Sequence, residues 1–85
     1  MFRMPEQDFN KIVRTEIRVQ MLRQELTQRE MARRLGWPLT TLHRRLTGEK
    51  AISAAELKMI AEILDVSLET LGFALTTTSG AGVRS

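Results

Sequence analysis

Apolar residues recur three and four positions apart along most of the chain, and nowhere do they alternate strictly with polar ones over the length of a strand. The pattern predicts an all-α protein. The first helix is expected from Pro5 or Glu6 to about Gln24, with Phe9, Ile12, Val13, Ile17, Met21 and Leu22 in one slightly drifting stripe. Val19 falls off the stripe and marks a second contact face. Pro5 suits a first helical turn, and Glu6 and Asp8 stand where the positive end of the helix dipole favours acids.

Local start and stop signals divide the chain beyond Gln24. Thr27-Gln28-Arg29-Glu30 is a capping box, flanked by Leu26 and Met31 at the positions of a hydrophobic staple. The helix it opens carries Met31, Ala32 and Leu35 inward and stops at Gly36, which accepts the left-handed backbone of a helix end. Pro38 opens a second short helix, about 38–46, at its first position. Leu42 and Leu46 share its inner face, Thr40, His43, Arg44 and Thr47 share its outer face, and Leu39 fits either. Thr47-Gly48-Glu49-Lys50 is the exit loop. Ser53-Ala54-Ala55-Glu56 is a second capping box, followed by Leu57, Ile60, Ala61 and Leu64 at helical spacing. Asp65-Val66 breaks that helix, and Ser67 caps a last one with Leu68, Leu71, Ala74 and Leu75. From Thr76 the run TTTSGAGVRS is small, polar and Gly-containing, the composition of a disordered tail. The expected architecture is a compact bundle of about five helices, one domain over residues 1–75, with a tail at 76–85.

Composition narrows the chemistry. The absence of Cys excludes disulfides, a thiol nucleophile and thiolate metal sites, and it suits a reducing cytoplasm. No apolar run is long enough to span a membrane, and the N-terminus lacks the apolar centre of a signal peptide. Net charge is only +3 but unevenly spread: Lys11 to Lys50 holds ten Lys or Arg against four acids, whereas residues 51–85 hold two against four. A basic half beside a slightly acidic one points to a polyanion partner. There is no Gly-rich phosphate loop, no activated nucleophile and no paired carboxylate set, so no enzyme, cofactor, metal or small-molecule ligand is expected. His43 has no second His or Cys to share a metal with.

Two short capped helices joined through Gly36, the second with a polar and basic outer face, predict a helix-turn-helix. In that motif the first helix crosses the nucleic-acid backbone and the second enters the major groove. Ala32, small and mid-helix, permits the close, steep approach of the pair. Leu26-Thr27-Gln28, Ala32, Leu35-Gly36, Leu42, Leu46-Thr47-Gly48-Glu49, Leu57, Ile60-Ala61, Leu64 and Val66 together resemble the repressor and Cro type of helix-turn-helix domain. The resemblance covers Leu26 to Leu71. It implies a five-helix bundle that binds operator DNA, usually as a two-fold dimer.

Carried over by position, the resemblance makes Leu39, Thr40 and Arg44 base-facing, with His43 beside them. Gln28 would contact phosphate, and Thr47 and Lys50 the backbone; Thr27, Arg33 and Arg45 complete the expected backbone set. Arg suits the O6 and N7 of guanine, and Leu39 or the Thr40 methyl suits the methyl of thymine. Trp37 replaces the family's usual small polar cap, Arg45 stands where an inward apolar residue is common, and the customary glycine before Leu26 is missing. Trp37 is read as a shield over the turn rather than a stacking residue. The resulting expectation is a DNA-binding transcriptional regulator working as a weak homodimer on an inverted-repeat operator. The dimer would form through Leu68, Leu71 and Phe73 or, less favoured, through Phe2, Met4 and Phe9. The competing function is an antitoxin or adaptor-type protein-interaction module, which would have no use for the cluster Gln28, Thr40, His43, Arg44, Thr47 and Lys50.

Overall fold

A computed structural model of the protein describes residues 6–72, which form four α-helices: α1 Glu6–Arg23, α2 Gln28–Leu35, α3 Leu39–Thr47 and α4 Ala54–Leu64. The helix boundaries follow from the caps. Thr27 is extended and its hydroxyl accepts from the Glu30 amide at 3.1 Å, so α2 begins there. The reciprocal half of that box is not made, because the Glu30 carboxylate turns instead to Arg33 and Arg34. At Ser53 both halves form: Ser53 Oγ accepts from the Glu56 amide and Glu56 Oε1 from the Ser53 amide, each at 3.1 Å. Pro38 stands one place outside α3 rather than in its first turn, and its carbonyl accepts from the Thr41 and Leu42 amides. No side chain caps α3, as the sequence around Trp37 and Pro38 implies.

α1, α2 and α4 end in the same way. A left-handed residue (Glu25, Gly36, Asp65) donates to the carbonyl three places back, and the next residue donates to the carbonyl five places back. Gly36, at φ +76°, takes this shape without steric penalty. Glu25 adopts it at φ +56°, which is how the chain turns from α1 into α2 without a glycine. Side chains of α1 and the residue after it satisfy further terminal carbonyls: Arg18 Nη2 donates to Leu46 O at 2.9 Å, and Gln24 Nε2 to Leu64 O at 2.7 Å.

α1 and α2 each pack against both α3 and α4. The core between them comprises Val13, Ile17 and Met21, Met31, Ala32 and Leu35, Leu42 and Leu46, Leu57, Ile60, Ala61 and Leu64, with Leu71 closing it. Two expectations are corrected. Leu22 is 80 % exposed, so the inward stripe of α1 ends at Met21; the chain turns away at Glu25 and no neighbour covers the next position. The fifth helix is not present through residue 72. Ser67 does cap, its hydroxyl accepting from the Thr70 amide, but it opens a tight turn. Thr70, Leu71 and Gly72 each donate three places back, and Gly72 leaves helical conformation at φ +97°. Phe2, Met4, Phe73, Ala74, Leu75 and the tail at 76–85 lie outside the described residues. Phe9 is half-buried against the core.

Candidate nucleic-acid interface

α3 is held from beneath by Leu42 and Leu46, both essentially inaccessible, which fixes the rotation of the helix and therefore its outer face. Thr40, His43 and Arg44 lie on that face, exposed, and Leu39 joins them at 39 % exposure. Leu39 is thus not part of the core. These four side chains, with Gln28 and Arg29 from the start of α2 and Glu49 from the exit loop, line one open concavity of about 450 Å³. The convergence follows from two local facts. Residues 40, 43 and 44 fall on one helical face, and the left-handed Gly36 brings the α2 N-terminus beside it.

Within the concavity, His43 Nδ1 lies 3.4 Å from Gln28 Oε1. Arg44 is loosely held, its Nε 3.8 Å from Glu49 Oε1 with both side chains more than half exposed. An exposed pair of this kind contributes at most about 1 kcal/mol, so Arg44 remains available to a stronger acceptor.

The expected backbone-contacting residues are distributed around this face. Thr27 is exposed, its hydroxyl occupied by the α2 cap. Gln28 is half-buried at the first position of α2, where free amide hydrogens and the helix dipole favour an anion. Arg33 is well exposed and pairs with Glu30, whose carboxyl is held below its usual range by hydrogen bonds from Arg33 and then Arg34. Thr47 and Lys50 are exposed at the end of α3, and the Thr47 hydroxyl donates to Arg44 O at 3.2 Å.

Arg45 is the exception. The sequence places it among the backbone contacts, whereas the structure turns it toward α4. There its Nε and Nη2 meet Glu56 Oε1 and Oε2 at 3.1 and 3.0 Å. The guanidinium also lies 6.0 Å over the half-buried Trp37 ring. The Arg45 hydrogen bond, aided by the Ser53 amide and opposed by partial burial, holds the Glu56 carboxyl below its usual range. α3 packs directly on α1 and α2 rather than on α4, so this two-pronged pair is what ties it to α4. An Arg at an inward-tending position is explained by that link, and Trp37 shields the turn as expected.

Two cations not singled out from sequence also reach the site. Arg29 lines the concavity. The Arg14 guanidinium lies against Gly48, close enough that a Cβ there would stand 2.8 Å from its Cζ. The signal for Arg14 is its spacing with Lys11 and Arg18 along the flank of the α1 stripe.

An all-helical domain in which a short capped helix turns through a left-handed glycine into a second helix, buried on one face and polar and basic on the other, is a helix-turn-helix DNA-binding domain. The helix-turn-helix family model matches residues 17–71, all of α2 to α4 included, and the chain belongs to the Cro/C1-type helix-turn-helix family, whose members are DNA-binding transcription regulators. Among curated proteins and solved structures, none matches the chain. Among the described residues no helix is long and apolar enough to cross a membrane, and no group of His, Asp or Glu is placed to hold a metal ion.

Proposed function

We propose that the protein regulates transcription in the cytoplasm by sequence-specific binding of duplex DNA, with α3 in the major groove. Leu39, Thr40, His43 and Arg44 read base edges. Gln28, Arg33, Thr47 and Lys50, with the α2 N-terminus at Thr27, position the domain on the phosphates. Arg14 and Arg29 add to that set, and Arg45 is left out of it. The observation that carries this reading is the gathering of all four base-reading side chains in one concavity on a helix anchored from behind by Leu42 and Leu46. A single recognition helix covers too few base pairs to single out a site, so two copies bind an inverted repeat with their α3 helices about 34 Å apart. Occupancy of that operator represses transcription.

Selection of bound sequences from a pool of random duplexes tests the reading. The wild type enriches a short inverted repeat. Arg44→Ala keeps the motif but loses preference at one or two positions, because base contacts specify. Lys50→Ala keeps the whole motif at lower affinity, because phosphate contacts only position. Enrichment of no motif by the wild type contradicts the proposal, and identical motifs from wild type and Arg44→Ala remove Arg44 from the base-reading set.

A further inference from the structure

We infer that α1 takes part in base reading through Arg18, a positioning residue that does not itself touch DNA but holds the C-terminal end of α3, and with it Arg44, in place. The inference rests on the reading of α3 as the base-reading helix and deepens it at that end.

The need for such a residue arises from how α3 stops. The last four carbonyls of a helix have no partner within it. α2 and α4 satisfy theirs with the amides of the two residues that follow, but α3 ends differently. Gly48 is left-handed at φ +92°, and the loop amide that returns is that of Lys50, six places back to Arg44 O at 3.2 Å. The Thr47 hydroxyl donates to the same carbonyl, also at 3.2 Å. The Leu46 carbonyl is met from outside the helix, by Arg18 Nη2 at 2.9 Å in a part-buried contact. A cation there also faces the negative end of the α3 dipole.

Arg18 does not act alone. Asn10, Arg14 and Arg18 follow one another at four-residue spacing on α1 and so share one face. They meet the chain after α3 in reverse order: Arg18 at Leu46, Arg14 at Gly48, and Asn10 at Ile52, whose amide donates to Asn10 Oδ1 at 3.4 Å. Cζ, Nη2 and Nη1 of Arg14 stand 2.8, 3.0 and 3.1 Å from where a Gly48 Cβ would be, so a glycine is what lets the two segments lie this close. α1 thus lines the exit loop from end to end, and Arg44 and Lys50, joined by one backbone bond, are seated on it together.

The consequence falls at one end of α3. Leu39 and Thr40 stand at its start, next to Pro38, whereas Arg44 lies two residues before the carbonyl that Arg18 holds. Without that bond the last turn of α3 loosens, and the Arg44 contact is lost before the Thr40 contact.

A double-mutant cycle tests this, with affinities measured for the duplex selected by the wild type and for a random duplex of equal length. Arg18→Met keeps the stem and removes the donor. It will lower the preference for the selected duplex about fivefold, and less than about twofold when Arg44→Ala is already present. Affinity for the random duplex and its salt slope will not change. Arg18→Lys, which keeps a donor, will recover most of the preference. Because Arg18 is exposed, both variants will melt less than about 8 °C below the wild type. Equal weakening on both duplexes, with a slope shallower by about 0.9, would make Arg18 a phosphate ligand and overturn the inference. So would a full fivefold effect in the Arg44→Ala background, no recovery by lysine, an unchanged preference, or a methionine variant that does not fold. A wild type with no preference for the selected duplex overturns the reading of α3, and the inference with it.

Discussion

Raising monovalent salt from about 50 to about 200 mM will lower the affinity for duplex DNA by about 10²-fold for each bound copy. The expectation follows from which cations are free to meet phosphate. The stretch from Lys11 to Lys50 holds ten Lys or Arg, but the fold commits several of them. Arg45 is paired with Glu56, Arg18 donates to the Leu46 carbonyl, and Arg33 and Arg34 share Glu30. Arg14, Arg29, Lys50 and one of the Arg33–Arg34 pair remain around α3. About four displaced counterions give a slope of about −3.6 in log K against log salt. Two copies on an inverted repeat double the slope, and the loss over the same range becomes about 10⁴-fold. Fluorescence anisotropy of a labelled duplex across a salt series measures both. A slope near zero would contradict the interface altogether, and a slope of about −1.8 would halve the number of phosphate contacts.

Leu42→Ala will destabilise the fold by about 3 kcal/mol, within the range for a fully buried leucine that leaves a cavity. Leu42 is inaccessible on the face of α3 that rests against α1 and α2. A domain this small holds only a few kcal/mol in reserve, and each is worth about 4–8 °C in Tm, so the melt falls by about 15 °C. Leu39→Ala, three residues earlier on the same helix, removes a side chain that is 39 % exposed. It will cost less than about 1 kcal/mol while altering site selection. Thermal melts followed by circular dichroism separate the two. Equal losses would mean that α3 is rotated away from this orientation.

The helices and most of the candidate site are legible in the sequence because their determinants are local. Thr27, Gly36, Ser53 and Asp65 mark boundaries through bonds within a few residues of themselves, and Thr40, His43 and Arg44 share a face by helical spacing alone. The features that escape such a reading depend on partners far along the chain. Arg45 meets Glu56 across a loop, Gln28 meets His43 across the turn, and Arg14 lies against Gly48 from another helix. No periodicity relates such residues. Leu22 reads as inward because neighbouring positions at the edge of a stripe differ by only about 100° of rotation, and the turn at Glu25 decides which one is covered. At Ser67 the cap is visible, but a cap fixes where a helix starts and not how far it runs; Gly72 ends the turn by a backbone angle that no pattern of side chains records.

Whether the outer face of α3 reads base edges in the major groove is decided by atomic substitution in the selected duplex. Replacing guanine by 7-deazaguanine removes the N7 acceptor from the major groove, and replacing it by inosine removes the N2 amino group from the minor groove. At the guanine met by Arg44, 7-deazaguanine will lower wild-type affinity by about tenfold to a hundredfold, inosine will leave it nearly unchanged, and Arg44→Ala will bind the natural and 7-deaza duplexes equally. A wild type indifferent to 7-deazaguanine at every guanine of the motif, yet weakened by inosine, would place the protein in the minor groove and exclude base reading by α3 in the major one.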